Sequence, residues 1–201
     1  MPTPETSHAY PPLDLDIRPL TPDRWPDFET LFGPRGACAG CWCMWWRLTG
    51  REYAQHRGDP NKSAFKSLTQ SGEVPGLLAY AGAQPVGWSA IAPRDSYKRL
   101  REDRIRILKR VDDLPVWSVT CFYVAPLYRR KGVSEQLLQA ALSWAEEQGA
   151  RIVEAYPVDL HDAALGAGQI YPGVAGTFRK LGFTEVARRH PARPIMRYYL
   201  K

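Results

Sequence analysis

The sequence predicts a mixed α/β fold, and three features predict it. Residues 116–124, Val-Trp-Ser-Val-Thr-Cys-Phe-Tyr-Val, carry β-branched and aromatic side chains at both alternating positions, as in a central strand covered on two faces. From Val133 the apolar residues Leu137, Leu138, Ala141, Leu142 and Ala145 recur at three- and four-residue spacings, and Gly149 follows where a helix would end. Around this pair, strand-like and helical runs alternate along the chain with no internal repeat. With 201 residues, 44% of them hydrophobic, the chain is sized for one domain over 13–201, behind an unstructured lead-in at 1–12.

Taken in order, residues 13–20 alternate in the manner of a first strand. Thr21 and Pro22 then give a cap and a permitted early proline for a short helix over 23–32, which the glycines of 33–40 break. A weaker helical pattern covers 53–70. Residues 76–81 and 85–92 read as two strands joined through Gly82, Ala83 and Gln84, a hairpin. The stretch 94–111 is basic and amphipathic, in keeping with a surface helix or loop. Pro126 ends the ladder of the central strand. Residues 152–157 then supply a strand, 173–181 a short helix, and 184–188 with 195–201 the closing strands.

Composition excludes several function classes. The longest apolar stretches fall far short of the roughly 20 residues that span a bilayer, and the N-terminus lacks the basic-then-apolar pattern of a signal peptide. A cytoplasmic protein without a membrane partner is expected. The net charge of +6 is scattered rather than gathered into a Lys/Arg run, so no nucleic-acid partner is expected, and a polyphosphate cofactor would use that charge equally well. Four cysteines in such a chain argue against a disulfide framework. A homodimer is left open.

Between the central strand and the long helix lies Val124-Ala-Pro-Leu-Tyr-Arg129-Arg130-Lys131-Gly132-Val133-Ser134. A helix N-terminus presents unpaired backbone N–H groups and a partial positive charge, so a turn that gathers amides there is an anion site. Gly132 lets the backbone approach a phosphate, and Arg129, Arg130 and Lys131 add mobile charge. A Rossmann site would need three glycines in the turn and a later acidic residue, and only Gly132 is present. The segment resembles the acyl-CoA motif of the GNAT superfamily, Gln/Arg-x-x-Gly-x-Gly/Ala after a strand ending in Val-x-Pro; Arg129 and Gly132 match, and Ser134 replaces the usual Gly or Ala. Residues 176–186, Gly-Thr-Phe-Arg-Lys-Leu-Gly-Phe-Thr-Glu-Val, are similar to that superfamily's late helix and strand. The resemblance implies an N-acetyltransferase that uses acetyl-CoA as co-substrate and a small-molecule or peptide amine as acceptor. It also implies an α+β architecture: a mixed, mostly antiparallel sheet flanked by helices, with the strands at 116–124 and 152–157 parallel and splayed. Phe122, Tyr123, Val124 and the turn 129–134 would then bind the coenzyme.

Acyl transfer to an amine needs the amine neutral, yet a lysine-like amine with a pKa of about 10.4 is neutral in only about one molecule in 10³ at pH 7. The resemblance implies that a main-chain N–H of Tyr123 or Val124 polarises the carbonyl. It also implies a glutamate and a tyrosine at positions that here are Ser118 and Phe178, which supply neither base nor acid. Tyr171 is the replacement candidate for the acid; Glu154 or Asp159 could organise a water relay, and His161 could titrate near neutrality.

The segment Cys38-Ala-Gly-Cys41-Trp42-Cys43-Met44-Trp45-Trp46-Arg47 is the most unusual of the chain. Three thiols within six residues raise zinc, with His56 as the nearest fourth ligand, but the second paired knuckle is missing, so no metal is expected. Trp42, Trp45 and Trp46 are expected to wall the acceptor site, since a tryptophan cluster after a Gly-rich loop lies where related proteins place that wall. The segment is also similar to that of a bacterial subgroup of the same superfamily. Two other classes compete: an acyl-CoA-binding regulator without catalysis, and a zinc-dependent nucleic-acid module.

Overall fold

The computed structural model describes residues 13–160 and 169–201. Seven strands form one sheet in the order β1-β2-β3-β4-β5-β7-β6. They are β1 (Asp16–Pro19), β2 (Gly76–Ala81), β3 (Gln84–Pro93), β4 (Trp117–Val124), β5 (Ile152–Ala155), β6 (Thr184–Arg188) and β7 (Pro194–Tyr199). Every neighbouring pair is antiparallel except β4 and β5, which run parallel. The α+β architecture expected from the resemblance is therefore the one observed.

Because successive side chains alternate across a strand, β2 and β3 feed two cores. Leu77, Ala79, Val86 and Ile91 pack on one face with Leu137, Leu138 and Ala141 of α5 (Val133–Glu147). Gly87 permits that closeness, since a Cβ there would lie 2.8 Å from the Val133 side chain. On the other face Leu78, Trp88 and Ala90 pack with Trp25, Phe28 and Phe32 of α1 (Trp25–Phe32) and Phe65 of α3 (Asp59–Gln70). Phe28 organises this face: its ring lies 3.9 Å from Phe32, 4.9 Å from Trp88 and 5.1 Å from Phe65. Such aromatic pairs add about 0.5–1.5 kcal/mol each beyond their burial.

Several expectations change in detail. The helix expected over 53–70 is two helices, α2 (Gly50–Gln55) and α3, separated at Gly58 with φ 85°. A capping box starts α2, in which the Thr49 hydroxyl accepts from the Glu52 amide and the Glu52 carboxylate accepts from the Thr49 amide. The basic stretch 94–111 holds only the short α4 (Lys98–Arg101) between turns, and Arg94 and Arg99 are buried rather than surface residues. The strand at 152–157 stops at Ala155, and the late helix is α6 (Ala175–Lys180). The lead-in at 1–12 lies outside the described residues.

What opens the sheet is the end of the β4–β5 ladder. Its register covers Trp117↔Val153, Ser118↔Glu154 and Val119↔Ala155 and goes no further. At that point β4 also carries a bulge against β3, with Thr120 as the extra residue between Val119 (opposite Ile91) and Cys121 (opposite Ala90). A bulge re-aims the side chains that follow. Val119 faces the α5 core, and after the bulge Phe122 and Val124 face it, while Cys121 and Tyr123 turn to the α1 side.

Candidate active site

The gap between β4 and β5 is bridged by the segment before α6. The Phe122 amide donates to the Tyr171 carbonyl at 2.6 Å, the Val158 amide donates to the Gly173 carbonyl at 2.9 Å, and the Ala175 amide donates to the Val158 carbonyl at 2.9 Å. The Ala125 amide donates to Val86 of β3 at 2.9 Å, so by alternation Tyr123 faces β3 as well and the Val124 amide faces the gap. The Val124 carbonyl, on the same side, accepts from Arg129 Nε at 3.0 Å. Of the two amides expected near a reacting carbonyl, only that of Val124 faces the gap.

Below this gap a cavity of about 440 Å³ runs along the turn and the start of α5. Phe122, Tyr123, Val124, Arg129, Arg130, Gly132, Val133 and Ser134 line it, facing Gly173, Thr177 and Phe178. Arg130 (φ 61°) and Gly132 (φ 79°) take left-handed conformations that swing the turn's amides toward the start of α5. A Cβ on Gly132 would meet no protein atom within 4 Å, so the glycine serves backbone conformation and the open cavity, not protein packing. Lys131 does not line this cavity; its ammonium sits 5.6 Å from the Tyr128 ring centre. Phe178, at the superfamily's tyrosine position, is packed at 5.1 Å against Phe183.

A second cavity, of about 430 Å³, lies on the α1 side of the sheet. Trp45, Trp46, Tyr53 and Arg57 line it, as do all four cysteines: Cys38, Cys41 and Cys43 from the unusual segment and Cys121 from β4. Trp88 Nε1 donates to Cys43 Sγ at 3.2 Å. The hydrogen bond to Cys43 pushes the Cys121 thiol well up, and burial raises that of Cys41, so both stay protonated. Among the described residues no group of three or more His, Cys, Asp or Glu side chains is arranged to hold a metal ion. The loop that presents these thiols is conformationally costly: Ala37, Ala39, Trp42 and Cys43 all have positive φ.

Phe122, Tyr123, Arg129 and Tyr171 line both cavities, so the two spaces meet at the open end of β4. Burial pushes the Tyr171 phenol up to about 12, which keeps it a proton donor at neutral pH.

Three sequence expectations are placed elsewhere. Trp42 is 2% exposed in the aromatic core, stacked on Trp25 and Phe32, and lines neither cavity. Its side chain fills the space above Gly36, where a Cβ would lie 2.4 Å from the indole Nε1. Glu154 is 1% exposed, and both its oxygens are engaged, Oε1 by the Tyr156 hydroxyl at 2.6 Å and Oε2 by Arg197 Nε at 2.8 Å. Asp159 forms ion pairs with Arg179 and Arg188 at 2.6 and 2.7 Å. His161 lies outside the described residues. Sequence reading missed Cys121, Tyr53 and Arg57 as cavity residues; strand alternation put Cys121 beside Tyr123, but the bulge that turns both toward the thiol loop has no sequence signature of its own.

Comparison with solved structures gives the same fold. PaiA N-acetyltransferase from Thermoplasma acidophilum in complex with coenzyme A matches at 15% identity and TM-score 0.51, over 94% of this chain and 100% of that one. YncA from Salmonella typhimurium with acetyl-CoA matches at 15% identity and TM-score 0.51, over 93% and 94%. A GNAT-family acetyltransferase from Streptococcus agalactiae matches at 12% identity and TM-score 0.55, over 94% and 98%. No curated protein matches the sequence. Among the described residues no helix is long and apolar enough to cross a membrane. Residues 42–167, more than half of the chain, match the acetyltransferase (GNAT) family, and the chain belongs to that family of acyltransferases.

Proposed function

We propose that the protein transfers an acetyl group from acetyl-CoA to a primary amine by direct attack in a ternary complex. The observation that carries this reading is the meeting of the two cavities at Phe122, Tyr123, Arg129 and Tyr171, which gives a coenzyme and an acceptor separate entrances to one point. The turn's amides and Arg129, Arg130, Gly132 and Ser134 fit a pyrophosphate, and the β4–β5 gap fits a pantetheine arm; the coenzyme complexes of PaiA and YncA, with the same fold, support that fit. Acetyl-CoA would supply the thioester carbon that the amine attacks.

In this scheme the amine nitrogen bonds to the carbonyl carbon while the Val124 amide stabilises the developing oxyanion. Collapse breaks the carbon–sulfur bond, the nitrogen loses its proton to water, and the Tyr171 hydroxyl protonates the departing thiolate and is itself reprotonated from water. The acceptor cavity is lined by Arg57 and Arg129, and their positive field disfavours an ammonium, so the amine enters neutral. We assign Glu154 a positioning role in place of a catalytic one: it fixes the Tyr156 hydroxyl, whose ring lies 6.1 Å from that of Trp46.

Calorimetry with acetyl-CoA, followed by thiol release across a panel of primary amines, tests the proposal. Acetyl-CoA binding together with amine-dependent thiol release and an acetylated product is expected. No binding of acetyl-CoA by the folded protein would refute it, as would thiol release that never depends on an amine.

A further inference from the structure

Cys38 and Cys41 form a Cys-x-x-Cys pair that acetyl transfer leaves unused, and the fold sets both residues in the wall of the second cavity. The Cys41 amide donates to the Cys38 carbonyl at 3.0 Å, which closes a β-turn around Ala39 (φ 49°) and Gly40 (φ 69°). The ends of such a turn have Cα atoms less than about 7 Å apart, and a disulfide joins Cα atoms roughly 4.4–6.8 Å apart. The turn is also anchored. The Gly40 carbonyl accepts from the Gly58 amide at 3.1 Å and from Nδ2 of the buried Asn61 at 3.0 Å, at the start of α3. A Cβ on Gly40 would lie 2.5 Å from the Gly58 nitrogen, so this close approach needs glycine.

The thiols of this cavity differ in access. Cys38 is exposed, Cys41 is half-buried and Cys43 is buried. The Cys43 sulfur already accepts from Trp88 Nε1, which ties it to the aromatic core. Burial pushes the Cys41 thiol up, and the thiolate is the reactive form, so an oxidant entering from solvent meets Cys38 first. Cys41 is linked to the rest of the wall. The Tyr53 hydroxyl donates to its sulfur, and the Tyr53 ring stands edge-on to Trp45 at 5.0 Å.

We propose that Cys38 and Cys41 are a peroxide-sensitive dithiol whose oxidation to a disulfide shifts the Tyr53–Trp45 wall of the cavity. The Cys38 thiolate attacks one peroxide oxygen. The O–O bond breaks, the sulfur loses two electrons, and the second oxygen takes up a proton and leaves as water. The Cys41 sulfur then attacks the resulting sulfenic acid: the S–S bond forms, the S–O bond breaks, and the hydroxyl leaves as water with the Cys41 proton. Two thiols and one peroxide thus give one disulfide and two waters, and a reducing dithiol reverses the change. The new bond draws the Cys41 sulfur toward Cys38 and away from Tyr53. The disulfide does not rest on the acetyl-transfer reading; only the naming of this cavity as the acceptor's does.

The test treats the full chain with hydrogen peroxide, counts free thiols after unfolding and maps the bond by mass spectrometry. Cleavage after arginine leaves Cys38, Cys41 and Cys43 in the peptide 36–47 and Cys121 in the peptide 111–129. Free thiols should fall from four to two, with the bond between Cys38 and Cys41, and dithiothreitol should restore all four. The tryptophan bands of the near-ultraviolet circular dichroism should change on oxidation and recover on reduction. Cys38→Ser, a substitution at an exposed position, should keep all its remaining thiols and show no change in those bands. Calorimetry should find acetyl-CoA affinity the same before and after oxidation. Four thiols remaining, a bond to Cys43 or Cys121, or a two-thiol loss that persists in Cys38→Ser overturns the dithiol. A Cys38–Cys41 disulfide with unchanged tryptophan bands, or with altered acetyl-CoA affinity, overturns its local action on the wall. Failure of the reduced protein to bind acetyl-CoA, with the disulfide still forming, would instead strike the acetyl-transfer reading and leave the dithiol standing.

Discussion

The Phe122 amide donates to the Tyr171 carbonyl at 2.6 Å, and this bond fixes the segment before α6 across the mouth of the splayed β4–β5 pair. The main chain of Tyr171 is thereby held independently of its side chain, which lines both cavities.

It follows that Tyr171→Phe should keep the fold and the coenzyme site while removing the proton donor. A fall of about 10²-fold or more in kcat, the usual size of a general-acid contribution, is expected with acetyl-CoA affinity unchanged. Since burial pushes the phenol up to about 12, the wild-type rate should show no alkaline fall below about pH 10. A kcat within a factor of two of wild type would assign the thiolate's proton to water.

Gly132 sits at φ 79°, and a side chain placed there would point into open space with no protein atom near its Cβ. Gly132→Val should cost about 1–2 kcal/mol of conformational strain and weaken acetyl-CoA binding by about tenfold or more through lost charge-assisted hydrogen bonds. Calorimetry on the folded variant measures it, and unchanged affinity would remove the turn from the coenzyme site.

Trp42 and Trp45 are three residues apart in sequence and should behave in opposite ways. Trp42→Ala opens a void in the aromatic core and should destabilise the protein by about 3–5 kcal/mol in urea unfolding. Trp45→Ala should instead raise the acceptor KM more than the acetyl-CoA KM. Equal effects of Trp45→Ala on both constants would return Trp45 to a purely structural role.

Asp159 lies between Arg179 and Arg188, and the hydrogen bond from Arg179 chiefly holds its carboxyl well below the usual carboxylate range. A carboxyl depressed in the folded state stabilises fully above its unfolded pKa of about 4 and loses that contribution as pH falls further. Asp159→Asn should therefore lower stability by about 1 kcal/mol at neutral pH, a modest figure because Arg179 is half exposed. The difference from wild type should shrink below about pH 4 in urea titrations. A difference that stays constant with pH would mean that packing, not charge, links Asp159 to the two arginines.

By itself the sequence determined the strand–turn–helix unit of β4, residues 125–132 and α5, because each part rests on local rules: alternation, proline at the strand end, glycine where φ is positive, and a three-to-four apolar period. It also determined the superfamily resemblance, which sits in that unit and in residues 176–186, and hence a mostly antiparallel sheet with a parallel, splayed pair at its centre. Only the tertiary structure decided which aromatic faces the acceptor cavity, because Trp42 and Trp45 differ in nothing local and are separated by the reversal of a loop with four non-glycine residues at positive φ. The structure likewise moved Glu154 out of reach of both cavities, where it is held by Arg197, 43 residues away. The convergence of Cys121 with the other thiols depends on a bulge in β4. Those are properties of long-range packing, to which a one-dimensional pattern of residue types is blind.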